Sequence, residues 1–88
     1  MPLWVRTLLL TATPEQAEPF VEGHLDHLRR LAGEGRLRAA GALTRGDGYL
    51  EIFEAADRLE AEQIARSSPL LEEGLGTWML REWSELEL

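Results

Sequence analysis

The order of elements in this sequence predicts an α+β fold, β-α-β-β-α-β, in which four antiparallel strands form one sheet and two helices cover one of its faces. Three observations predict it. A Val-, Leu-, Thr- and Trp-rich opening segment is stopped by a proline. A helix-start pattern follows, leading into an apolar stripe at helical spacing. Two short apolar segments then flank a Gly-Asp-Gly loop of the kind that closes hairpins.

Residues Leu3–Ala12 read as the first strand, with Trp4, Leu8 and Leu10 on one face and Val5 and Leu9 on the other. A strand apolar on both faces is usually buried on both. Thr13-Pro14-Glu15-Gln16 is a helix start: Thr13 as N-cap, Pro14 at the first helical position, Gln16 where a capping box needs it. The stripe Ala17, Phe20, Val21, His24, Leu25, Leu28, Leu31 and Ala32 continues the helix to Gly33 or Gly35. Gly23, inside that helix, costs ~1 kcal/mol relative to alanine, and close approach of another backbone would explain it. Leu37–Leu43 and Tyr49–Glu54 read as strands joined by the Thr44–Gly48 hairpin loop. Asp57 caps a second helix to about Ser67, with Leu59, Ala61, Ile64 and Ala65 inward. Ser68-Pro69 breaks that helix, Leu70–Leu75 makes one more turn, and Thr77–Trp83 alternates as the last strand. This is the ferredoxin-like split βαβ arrangement. It leaves one sheet face uncovered, a patch of several hundred Å² if apolar, and so predicts a homodimer through that face.

Composition narrows the function classes. The chain has 88 residues and no cysteine, enough for one domain over 1–88 without disulfides or thiolate metal sites. Sixteen acidic residues against nine basic ones give a net charge of −7, which disfavours nucleic acid and anionic membrane surfaces as partners. All nine basic residues are arginine, so neither a Schiff-base lysine nor a phosphate-loop lysine is available. Arg6 interrupts the opening apolar run and no cleavage site follows at signal-peptide spacing, so a soluble cytoplasmic protein is expected.

Two histidines, His24 and His27, carry most of the chemical interest. Three apart on a helix, they could share a metal, but no third ligand accompanies them, and Asp26 points elsewhere. No metal and no cofactor is expected. His24 lies within the apolar stripe, between Phe20 and Leu28, and faces inward; His27 lies off it and is expected in solvent. An inward imidazole suits general acid–base work but needs an orienting carboxylate, which no neighbouring position obviously supplies. Glu72 and Glu73, with the other acidic positions, read as solvated faces. Arg45-Gly46-Asp47 spells a cell-attachment tripeptide but reads as the hairpin turn. Trp78 and Trp83 read as core or dimer-interface residues.

His24-Leu25-x-x-Leu28, Gly35-Arg36-Leu37 and Ala40-Gly41, then Ser68-Pro69-Leu70, Gly74-Leu75 and Trp83, together resemble the YCII-related domain family over residues 3–83. The resemblance implies a ferredoxin-like domain that pairs through its sheet into a dimeric α/β barrel. It also implies an active site made of a histidine on the first helix and an aspartate before the proline that follows the second helix. Those positions are His24 and Ser68 here, so the dyad has lost its carboxylate, for which Glu72 or Glu73 in the next turn would have to substitute. Ala42 and Val21 stand where the family often has a proline and a basic residue. The function implied is lyase- or isomerase-type chemistry on a small organic ligand, with His24 and Ser68 catalytic and Gly41 and Pro69 lining the binding pocket between sheet and helix. The alternative is a non-catalytic dimeric module, binding a metabolite or a protein, in which His24 is packed as a core residue.

Overall fold

The computed structural model describes residues Met1–Leu88, in the order β1 (Leu3–Leu10), α1 (Pro14–Gly33), β2 (Leu37–Ala42), β3 (Gly48–Glu54), α2 (Arg58–Arg66), α3 (Pro69–Glu72) and β4 (Gly76–Trp83). The sheet runs β2-β3-β1-β4 and every pairing is antiparallel. This is the ferredoxin-like arrangement.

Local chemistry sets the boundaries. Thr13 Oγ1 accepts from the Gln16 N–H while the Gln16 side chain accepts from the Thr13 N–H, so both capping-box bonds form. The helix runs through Pro19 near its start. It ends where Gly35 takes φ +74° and the N–H groups of Gly35 and Arg36 close back on the Ala32 and Leu31 carbonyls. Gly48 opens β3 because a Cβ there would lie 2.1 Å from the Leu8 carbonyl oxygen. Asp57 caps α2 through the Glu60 N–H, and Ser68 caps α3. The first strand stops at Leu10, two residues before the expected Ala12, because Thr11 and Ala12 bond instead to the Leu75 carbonyl in the turn before β4.

The covered face of the sheet holds two separate apolar clusters. Trp4, Phe53 and Leu80 pack with Ala55 and with Ala61 and Ala65 of α2; Leu8 packs with Ala17 of α1 and Leu70 of α3. Between Trp4 and Leu8 on β1 comes Arg6, and before Phe53 on β3 comes Glu51, both wholly buried. A polar layer therefore divides the core. The expected inward position of Leu59 is corrected: it is 65 % exposed, because Ala61 and Ala65 take the inward arc of α2 and Leu59 falls on the far side.

The other face of the sheet carries no helix. Val5 sits opposite Ile52, and Thr7 lies between Leu50 and Met79. Leu9, Leu50 and Met79 are exposed there, at 46 %, 37 % and 61 %.

Candidate functional site

His24 is fully buried at the centre of the polar layer, as its place in the stripe predicts. Its Nδ1 lies 2.7 Å from Ser68 Oγ and its Nε2 3.0 Å from Glu51 Oε2. An ionised carboxylate only accepts, so Nε2 carries the ring hydrogen and donates it to Glu51. Nδ1 is then the lone pair that accepts the Ser68 O–H. Ser68 Oγ itself accepts from the Leu70 N–H at 3.3 Å, so the residue that caps α3 also holds the imidazole. The result is a carboxylate–imidazole–hydroxyl chain.

The orienting carboxylate is thus Glu51, on β3. Glu72 and Glu73 are exposed and do not supply it. Arg6 holds Glu51 from the neighbouring strand, Nε to Oε1 at 2.8 Å. Burial raises the affinity of the Glu51 carboxyl for a proton, but the hydrogen bond from His24 and the Arg6 charge outweigh it, holding the group below its ordinary value. Glu51 therefore stays ionised in the core.

His27 corrects the expectation that it is solvated: it is 6 % exposed. It lies one turn beyond His24 with ring centroids 6.1 Å apart, and its Nε2 accepts from Arg6 Nη1 at 3.3 Å. The same Nη1 donates to the Ala65 carbonyl at 2.8 Å. Burial first, and the Arg6 charge second, push the His27 imidazole down to about 4, so it is neutral at physiological pH. A polar partner in the core is what makes a histidine off the apolar stripe buriable.

The two remaining expected site residues stand apart from His24. Pro69 packs on α1, where a Cβ at Gly23 would meet its Cγ at 3.0 Å. The close approach at Gly23 is to a side chain, not a backbone, and it draws α3, with Ser68 at its start, onto α1. Gly41 lines a cleft of about 140 Å³ between α1 and β2, with Leu25, Leu28, Ala40, Ala42 and Tyr49. The expected pocket open to His24 and Ser68 is absent, since both are fully buried. The Tyr49 ring is what separates them: it faces the cleft and lies 4.5 Å from the His24 ring. Burial, and then the Glu51 charge, raise the Tyr49 phenol above its ordinary value, so it remains protonated.

Arg6 and Glu51 are the members that sequence reasoning missed. Their signal was strand parity. Arg6 alternates with Trp4 and Leu8, and Glu51 with Tyr49 and Phe53, so both charges occupy inward positions of central strands. Charges so placed must be paired.

Fold and polar layer define the class: a ferredoxin-like α+β protein with a carboxylate–imidazole–hydroxyl chain buried beneath its helices. The chain belongs to the YCII-related domain family, whose pattern matches residues 6–84. It is 32% identical over 77 residues to the uncharacterized protein YjpA of Bacillus subtilis (strain 168), an alignment covering 86% of this chain and 91% of that one. Its fold is similar to that of the 5-chloro-2-hydroxyhydroquinone dehydrochlorinase TftG of Burkholderia phenoliruptrix AC1100, solved with 2,5-dihydroxybenzoquinone. The TM-score is 0.72 at 16% identity, covering 91% of this chain and 93% of that one. No helix here is long and apolar enough to cross a membrane.

Proposed function

We propose that residues 1–88 form one domain acting as a small-molecule enzyme of the proton-transfer type, lyase or isomerase, with His24 as the acid–base group. The observation that carries this reading is the Glu51–His24–Ser68 chain, with bonds of 3.0 and 2.7 Å. Glu51 orients the ring and balances the charge it gains on taking a proton; Arg6 keeps Glu51 ionised; the Ser68 hydroxyl gives its proton to Nδ1 as its Oγ takes one from the substrate. The carboxylate missing at position 68 is thereby replaced from β3. The substrate side is the α1–β2 cleft. An apolar cavity of ~150 Å³ holds benzene, so the cleft of about 140 Å³ suits one small ring. Gly41 contributes only backbone to its wall, because position 41 pairs with Leu50 and so faces the uncovered side of the sheet, while Ala40 and Ala42 face the cleft. The substrate reaches His24 when the Tyr49 ring swings aside. The dehydrochlorination performed by the structural neighbour is chemistry of this kind.

A second reading has its own support. His24, Ser68, Glu51 and Arg6 are each fully buried, which suits a structural network in a non-catalytic binding module. Deuterium exchange separates the two. A panel of one-ring carbon acids and phenols in heavy water, followed by proton spectra, should show exchange catalysed by the native protein. It should be lost in His24→Gln, with the fold checked by circular dichroism. No exchange across the panel, and no thermal shift with any member, would leave the structural reading.

The uncovered sheet face supports a homodimer under either reading. Its apolar side chains continue across β1, β3 and β4 through Leu9, Leu50 and Met79.

A further inference from the structure

A second opening lies on the opposite side of the polar layer. The last turns of α1 and α2 enclose a cleft of about 170 Å³ lined by His27, Arg30, Leu31, Glu34, Ile64 and Ser67. Arg6 fixes the tautomer of His27. A guanidinium donates and never accepts, so Nε2 is the lone pair and the ring hydrogen sits on Nδ1. Arg6 Nη2 is the one buried side-chain nitrogen or oxygen without a partner. Nδ1 of His27 also has no protein partner, so it reaches the surface, and this cleft is the opening that His27 lines. The cleft thus holds a donor that cannot turn into an acceptor.

A cation stands beside it. Arg30 makes no ion pair, whereas Arg29 is held by Glu22 and Asp26. The helix ends here would repel an anion where their carbonyls are free, but in each helix three of the last four are occupied. Those of Arg30, Leu31 and Ala32 accept from the Glu34, Arg36 and Gly35 N–H groups. Those of Gln63, Ile64 and Ala65 accept from Ser67 Oγ–H, the Ser67 N–H and Arg6 Nη1. The acidic residue on the rim, Glu34, lies 3.4 Å from Arg36 Nε; its charge is partly balanced, yet it disfavours a doubly charged ligand. Leu31 and Ile64 supply an apolar wall.

We infer that this cleft binds a small monocarboxylate, its oxygens accepting from His27 Nδ1–H and the Arg30 guanidinium and its hydrocarbon part lying on Leu31 and Ile64. The volume suits a ligand of benzoate size, since an apolar cavity of ~150 Å³ takes up benzene. The site is separate from the α1–β2 cleft and does not depend on turnover there.

Benzoate is the probe, with benzamide and inorganic phosphate as comparisons, followed in nitrogen–proton correlation spectra of the histidine rings at neutral pH. Benzoate should move the His27 Nδ1 signal saturably, while benzamide and phosphate bind more weakly. Arg30→Gln should weaken benzoate ~10-fold, the loss of one charge-assisted hydrogen bond, and leave the unliganded thermal midpoint unchanged. Arg45→Gln, at an unpaired arginine on the hairpin, should leave the affinity as it is. A His27 signal unmoved at millimolar benzoate, equal binding of benzamide or phosphate, or an affinity indifferent to Arg30→Gln would each overturn the inference.

Discussion

Arg6 and Glu51 stand directly opposite each other on the two central strands, Nε and Oε1 2.8 Å apart on the face that the helices cover. Each neutralises a charge that the core could not otherwise hold. Glu51→Gln preserves shape but leaves the guanidinium as an uncompensated buried cation, at an expected cost of ~3–5 kcal/mol. Arg6→Met leaves Glu51 with His24 alone and should cost about as much. Both changes remove the same contact, so the double variant should fall short of the sum by ~1–3 kcal/mol. Urea unfolding of the four proteins measures this; simple additivity would show the pair uncoupled.

Acid should act through His27 before it acts through Glu51. The folded His27 titrates at about 4 and the unfolded one at 6.5, so the folded chain binds fewer protons between those values. Stability is then complete above 6.5 and declines as pH falls toward about 4. The whole difference corresponds to ~3 kcal/mol, and water reaching Nδ1 through the α1–α2 cleft reduces it to ~1–2 kcal/mol. Glu51 contributes in a lower window. Its folded value lies below 4.5, so its stabilisation is present above 4.5 and disappears only as pH falls through the folded value. Urea midpoints should therefore decline in two stages, and His27→Gln should remove the first stage only.

The elements that follow local rules were legible from sequence, and those set by tertiary partners were not. The Thr13 capping box, the Asp57 cap, the Thr44–Gly48 loop and the Ser68-Pro69 break depend on residues within a few positions of one another. Together they give the strand order once handedness and connection rules apply. The inward direction of His24 was legible for the same reason, since helical periodicity is local. Its carboxylate was not, because Glu51 is 27 positions away and touches His24 only once β3 lies beside β1. His27 was misread because an apolar stripe counts only apolar residues, and the inward arc of α1 widens where Arg6 offers it a partner.

The uncovered sheet face gives a test of assembly. Leu9 and Met79 project from it, exposed at 46 % and 61 %. If two such faces meet, Leu9→Arg buries an unpaired cation in each half of the interface, and the dimer should dissociate. Light scattering should then give a mass near 9.9 kDa, against twice that for the native protein. A native mass of 9.9 kDa at micromolar concentration would rule the dimer out.

Gly23 and Pro69 give a last test, in which helix propensity and packing oppose each other. Alanine in place of an exposed helical glycine gains ~1 kcal/mol. Here the new Cβ would lie 3.0 Å from Pro69 Cγ and 3.4 Å from its Cβ, and the pyrrolidine ring has little freedom to yield. Relief has to come from moving α3 away from α1, which lengthens the 2.7 Å bond between Ser68 and His24. Gly23→Ala should therefore be destabilising in the native sequence, and it should perturb the His24 ring resonances. With Pro69→Ala the obstruction is gone, and the same Gly23→Ala change should become stabilising by up to ~1 kcal/mol. A reversal of sign between the two backgrounds, read from thermal midpoints, would identify the Pro69 contact as the reason that glycine occupies position 23. The same sign in both would mean that α3 adjusts freely and that Ser68 is not held in place by this packing.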